Sequence, residues 1–287
     1  MSTGKNVLMW SLALIIMLAV YVYQKRTGPT YPLKGEKSIG GVNIDYKLPR
    51  SHPHDSGPFL ISVNAPENFN GKVKYRRFKS YDDFSFAKME RKGDELVVEL
   101  EHLDAAGKYM YQVILENNGK ETQLTEDFIT IRFRGGVPGL ILYPHIFFMF
   151  FAMWLTMRAG LEAVSGVGKE YNYAFYTTLF FFIGGFIFGP IMQKYAFGEY
   201  WTGWPFGHDM TDNKVLGALV IWILTLIIGK IKPSLTKIFV FIAVIVQIGI
   251  YLIPHSTLGS ELDYRPIQEN SGNSINKEND SFNDLIK

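Results

Sequence analysis

The sequence predicts a mixed membrane protein with an N-terminal anchor helix, an antiparallel β-sandwich domain and then a four-helix transmembrane bundle, five spans in total. Three observations carry this expectation. Of 287 residues, 47% are hydrophobic and 15% aromatic, too apolar for one soluble domain, while 20% are charged, too many for a wholly embedded chain. Five apolar runs are long enough to cross a bilayer as helices. Between the first and second of them the pattern changes to short β-rich segments separated by turn residues.

Composition also excludes several classes. A formal charge of +2 creates no whole-chain field that would draw nucleic acid. With no cysteine, disulfides, thiolate catalysis, iron–sulfur clusters and cysteine zinc sites are impossible, and the redox compartment stays open. The chain has no Gly-x-Ser-x-Gly elbow, P-loop, His-Glu-x-x-His helix or dinucleotide glycine fingerprint.

Taken in order, Val7 to Tyr23 is a 17-residue uncharged run, just long enough to span. Bulky and charged residues follow it where signal cleavage needs small ones, so residues 1–24 are expected to form an uncleaved anchor. Residues 25–56, rich in Gly, Pro and Lys, read as a linker ending in His52-Pro53-His54-Asp55, a string that either adds ligands above the membrane or is simply solvated. Residues 57–135 then hold the strands, with turn signals at Asn70-Gly71, Lys92-Gly93-Asp94 and Asn117-Asn118-Gly119. Six or seven short strands at this spacing predict an extracytoplasmic antiparallel sandwich.

Within it, Asp104-Ala105-Ala106-Gly107-Lys108-Tyr109-Met110-Tyr111 resembles the turn and strand start that carry the tyrosine corner of immunoglobulin-like and fibronectin-type modules. The resemblance covers residues 57–133 only. It implies that the Tyr109 hydroxyl bonds back to upstream backbone. Tyr111 stands where an antibody domain carries its second cysteine, so the disulfide-pinned subtype is excluded. The resemblance also implies a habit of binding other proteins, and no reaction.

Residues 136–264 are expected to form the four-span domain, through Gly139 to Met157, Tyr173 to Met192, Val215 to Ile231 and Ile238 to Ile253. Gly185 and Gly189, four apart, let the third span approach a neighbour closely. The polar tail 265–287 is expected to be disordered. Lys230, Lys232 and Lys237 flank the tight turn between spans four and five and favour the cytoplasm there, although Lys25 and Arg26 vote the other way. The expected location is a bacterial cytoplasmic membrane, with the N-terminus inside and the sandwich and C-terminus outside.

An odd number of spans puts the sandwich, the connector from Tyr195 to Lys214 and the tail on one face, and with them all six histidines. That connector carries Tyr200, Trp201, Trp204 and Phe206 around His208, Asp209 and Asp212, a composition suited to a shaped element at the membrane surface. His145, six residues into its span, lies about 9 Å down at 1.5 Å per residue and needs a partner there. His208 and His255 could approach it, with Asp209, Asp212, Glu261 and Asp263 supplying carboxylates. Such a set suits copper, zinc or haem iron. His145, Met149, Met153 and Met157 recur every fourth residue, a stripe of Cu(I)-favouring ligands or ordinary helix packing. Asp209, Thr211 and Asp212 could instead cap the following helix, and Arg158 and Glu162 could pair as an interfacial anchor.

Three functions compete. The first is a metal or haem site at the outer face, serving cofactor handling or assembly of an envelope redox complex, with membrane lipids and another envelope or respiratory protein as partners. The second is a non-catalytic interaction subunit whose sandwich binds an envelope partner. The third is a membrane enzyme using His208 with Asp209 or Asp212 as acid and base on a lipid-linked substrate.

Overall fold

The computed structural model describes residues 2–165, 168–253 and 262–265. The expected layout of an N-terminal apolar helix, β-sheets and four further apolar helices is present. Five helical stretches, Thr3–Thr27, Gly139–Ser165, Glu170–Phe197, Met210–Ile231 and Pro233–Leu252, are long and apolar enough to cross a membrane. His255, Glu261 and the tail beyond Arg265 lie outside the described residues.

Helix α1 (Thr3–Thr27) starts where Ser2 accepts a hydrogen bond from the Lys5 backbone N–H, and Lys25 and Arg26 occupy its last turn, where cations suit the helix dipole. The stretch after it is not a linker. Strands β1 (Leu33–Ile39) and β2 (Val42–Leu48) pair antiparallel through a two-residue turn at Gly40-Gly41, both at positive φ (59° and 83°). Consecutive residues with φ > 0 match the right-handed strand twist, and glycine adopts them without strain. Ile39, Ile44 and Leu48 pack this hairpin into the same core as the sheets that follow.

Strand β3 (Ser51–Pro53) takes up His52 and Pro53, and His54 and Asp55 form the turn after it. It lies parallel to β11 (Ile129–Arg134), the one departure from the antiparallel pairing expected. The His52 ring packs on Phe133, and its Nε2 lies 3.0 Å from the Gly57 carbonyl, so this histidine is structural rather than solvated. The largest sheet runs β3-β11-β9-β5-β6, where β9 is Lys108–Asn117, β5 Phe69–Arg77 and β6 Ser85–Lys88. Strand β10 (Lys120–Gln123) pairs with β9 as well. A second sheet has the order β4-β8-β7, from Phe59–Asn64, Glu95–Leu100 and Glu90–Lys92. Alternate residues of β4 are buried (Phe59, Ile61, Val63), and they meet Val73, Tyr111, Val113 and Leu115 of the larger sheet in one core.

The expected tyrosine corner takes another form. Tyr109 is only half-buried and packs its ring on Tyr75 and Phe133, and its hydroxyl has no hydrogen-bond partner among the described residues. Tyr111, fully buried, donates its hydroxyl to the Pro49 carbonyl at 2.7 Å and so pins the hairpin's exit to the central strand. Burial pushes its phenol well above the usual range, so the proton needed for that bond stays in place.

Helix α2 (Gly139–Ser165) packs beside α1. The Trp10 and Trp154 rings meet edge to face at 4.9 Å, and the Trp154 indole donates to the Trp10 carbonyl. Arg158 and Glu162 are no surface anchor. Both side chains are 0% exposed, with Nη1 to Oε2 at 2.6 Å, and the guanidinium also lies over the Tyr173 ring and reaches Asn6. A fully buried pair is held by geometry rather than by salt attraction alone, because desolvating two charges costs several kcal/mol each. The third apolar stretch is α3 (Glu170–Phe182), a π-helical segment Ile183–Phe188, and α4 (Gly189–Phe197). Helices α5 (Met210–Ile231) and α6 (Thr236–Leu252) complete the set, joined by a 3₁₀ turn at Pro233–Leu235. Met153 and Met157 pack with Ala13 and Met17 of α1 and Tyr251 of α6, so the lower methionine stripe is core.

The β region meets the helices at one end. Gly135 N–H donates to the Ala196 carbonyl at 3.1 Å, and the Arg132 guanidinium lies over Phe197. After α6 the chain returns to the same place, with Leu262 N–H on the Ala106 carbonyl and Tyr264 N–H on the Lys79 carbonyl. The β region, the 195–214 connector and the segment past α6 therefore share one end of the helices.

Two outcomes are expected. Tyr111→Phe removes the donor to Pro49 and should lower unfolding stability by about 1–2 kcal/mol, read by thermal unfolding of the purified protein. Arg158→Met should cost about 3–5 kcal/mol by leaving Glu162 buried and unpaired, and Arg158→Met with Glu162→Leu should recover most of that loss.

Candidate functional site

The connector is a folded element. Gly198 ends α4 in the left-handed region at φ 89°, a conformation natural to glycine. Asp209 then caps α5: its Oδ1 accepts from Thr211 N–H at 2.7 Å and Asp212 N–H at 3.2 Å. Asp212, one turn into α5, accepts three bonds at Oδ2, from Thr202 N–H at 2.7 Å, the Thr202 hydroxyl at 3.2 Å and Gln193 Nε2 at 3.1 Å. Asn213 accepts from Trp204 N–H, and the Trp201 indole donates to the Trp204 carbonyl. Four backbone or side-chain donors of the connector are thus satisfied by the first turn of α5 or by the connector itself. Trp204 and Phe206 remain 67% and 84% exposed at its tip, as aromatic residues at a water–lipid boundary would be.

The π segment shapes the facing wall. Its extra residue per turn makes Gly189 N–H donate to the Gly184 carbonyl, five residues back. That same carbonyl lies 3.0 Å from His145 Nδ1. Because a carbonyl only accepts, Nδ1 carries the proton and a neutral His145 keeps its lone pair on Nε2. A Cβ at Gly184 would stand 3.0 Å from Met149 Sδ and from the Phe148 side chain, so α2 approaches as closely as it does only because residue 184 lacks one. Gly185 packs equally tightly on Val215, as the small-residue spacing anticipated, whereas a Cβ at Gly189 would make ordinary contacts, with the Gly184 carbonyl oxygen at 3.4 Å and His145 Cε1 at 3.9 Å.

Between these pieces lies a cavity of about 490 Å³. Met149, Met192, Val215, Leu142 and Pro190 form much of its apolar wall, and Pro53 and Arg134 to Val137 form its roof from the β region. His145, Gln193, Trp201, Asp209 and Asp212 supply its polar groups.

Of the residues singled out from sequence, His145, Met149, Asp209, Asp212 and Trp201 line this one space. His208 does not: it is exposed and outside the cavity, so no His208–Asp acid/base pair forms. Trp204 points its bulk outward, and Asp263 is exposed and hydrogen-bonded to Arg265, whose guanidinium holds its carboxyl well below the usual range. Among the described residues no three His, Asp or Glu side chains are grouped as a metal ion needs. Gln193, the π segment and the β-region roof were missed. The Gly184-Gly185 pair was the available signal for close approach, but no local pattern announces that Gln193 faces Asp212.

Comparison with protein-family models, with curated proteins and with solved structures finds no match to this chain.

The roof depends on a close backbone contact: a Cβ at Gly135 would stand 2.1 Å from the Tyr195 carbonyl oxygen. Gly135→Ala should therefore separate the β region from α4. The expected result is a lower melting temperature and faster protease cleavage within residues 195–214.

Proposed function

We propose that this chain is an integral membrane protein that holds one small amphipathic molecule in the cavity between its β region, a β-sandwich, and its transmembrane bundle. The site would lie at the outer face of a cytoplasmic membrane. The observation that carries this reading is the cavity itself. Its volume of about 490 Å³ falls in the range of small-molecule sites, its walls are largely apolar, and a few polar groups are held in place by their own partners. Exposed Tyr200, Trp204 and Phe206 on the adjoining connector suit the level of lipid head groups. Lys230, Lys232 and Lys237 lie at the opposite end of the helices and support a cytoplasmic position there.

An organic ligand fits better than copper, zinc or haem iron. Among the described residues His145 is the sole imidazole lining the cavity, and Asp209 and Asp212 are already engaged in holding α5 and the connector. The sandwich serves as a roof, docked at Gly135 and by residues 262–265, rather than as a free recognition module.

The test is native mass spectrometry of the purified full chain. One retained molecule per chain is expected, and Gly189→Met, whose Cβ would make only ordinary contacts and whose side chain starts from the cavity lining beside His145, should remove it while the protein still folds. Wild type that carries no small molecule, and gains no thermal stability on adding total membrane lipid, would overturn the reading.

A further inference from the structure

Resting on that reading, the wall chemistry defines the head of the ligand. On the helices that line the cavity, three acceptor atoms lack a hydrogen-bond partner among the described residues. His145 has committed Nδ1 to Gly184, which leaves Nε2. Gln193 directs Nε2 at both Thr202 and Asp212, which leaves Oε1. The amide cannot be reversed, because the atom facing the Asp212 carboxylate must be the donor. Asp212 takes its three bonds at Oδ2, which leaves Oδ1. None of the three is among the polar atoms sealed away without a partner, so each keeps some accessible surface.

They also share one level of the helices. A Cβ at Gly189 would stand 3.9 Å from His145 Cε1, while one turn below, a Cβ at Gly185 would touch Val215 at 3.0 Å and Met149 Sδ at 3.9 Å. Met149 and Val215 are one turn from His145 and Asp212 on their own helices, which puts those two at the same level of the helices, and both line the cavity. Gln193 is bonded directly to Asp212. Asp212 has no cationic side chain as an ion-pair partner among the described residues.

The missing complement is a group with several donors and a positive charge. A hydroxyl brings one donor and no charge, and a quaternary ammonium brings charge and no donor. A primary ammonium brings three N–H donors and one charge. On the roof, exposed Arg134 offers a guanidinium, the natural partner of a phosphate. We propose that the cavity binds the zwitterionic head of an aminophospholipid, its ammonium among His145 Nε2, Gln193 Oε1 and Asp212 Oδ1, its phosphate toward Arg134 and its first chain atoms on the apolar wall.

The experiment is a native mass spectrometry titration of the full chain in detergent. The probes are phosphatidylethanolamine, phosphatidylcholine and phosphatidylglycerol with identical acyl chains, and soluble phosphoethanolamine. Phosphatidylethanolamine should bind one per chain and at least about tenfold tighter than the other three, and Asp212→Asn should weaken it about 10- to 100-fold and so erase its preference over phosphatidylcholine. Equal binding of the three lipids, all blocked by Gly189→Met, would overturn the ammonium head and leave the cavity reading standing. Phosphoethanolamine binding as tightly as the lipid would overturn the membrane source. Lipid binding insensitive to both Gly189→Met and Asp212→Asn would place it elsewhere and overturn the proposal, and binding of no probe at all would overturn this proposal and the cavity reading together.

Discussion

The carboxylate of Asp212 joins three pieces of chain at one atom: its own helix α5, the end of α4 through Gln193, and the connector through Thr202. Thr202 and Gln193 are nine residues apart, on either side of the reversal that carries the chain from α4 toward α5. Without an acceptor at residue 212, the Thr202 N–H would be left partly buried with nothing to bond, at a cost of about 1–3 kcal/mol. With it, the connector folds over the helix ends instead of looping away. The wall of the cavity and the docking surface for Gly135 both follow from that.

The opposite end of the helices is organised by a second ionic constraint of a different kind. Arg158 and Glu162 are enclosed between α1, α2 and α3, with the Arg158 guanidinium flanked by Tyr173 and Trp10 and bonded to Asn6. Helix α1 thereby becomes a working member of the bundle rather than a tether. Its Trp10 and Asn6 shield a charge that Glu162 alone could not shield. The two ends divide the labour: charge is enclosed and matched at Arg158, and left open toward a cavity at Asp212.

Much of this was legible along the chain. Runs of apolar residues announce spanning helices because length and hydropathy are local quantities, and the five stretches fall where the runs are. Asp209 was legible as a helix cap and His145 as a buried imidazole in need of a partner, since both readings need only a residue and its neighbours. The hairpin at Gly40-Gly41 was legible too and was passed over, because Gly, Pro and Lys around it look like a linker when counted rather than read in register. The choice between Tyr109 and Tyr111 was not legible. Alternation puts both on β9, and only the path of the hairpin's exit at Pro49 decides which hydroxyl finds a carbonyl.

By itself, the sequence determined the number of long apolar helices, the β character of the region between the first two, and the gathering of connector and β region at one end, because two antiparallel helical stretches lie between them and an even number returns the chain to the end it left. Only the tertiary structure decided that His145, Gln193 and Asp212 share one space while His208 is turned outward. Those residues come from three helices separated by tens of positions, and their meeting depends on how closely backbones without a Cβ at residues 184 and 185 can approach. That is a property of packed surfaces, and no stretch of chain read alone contains it.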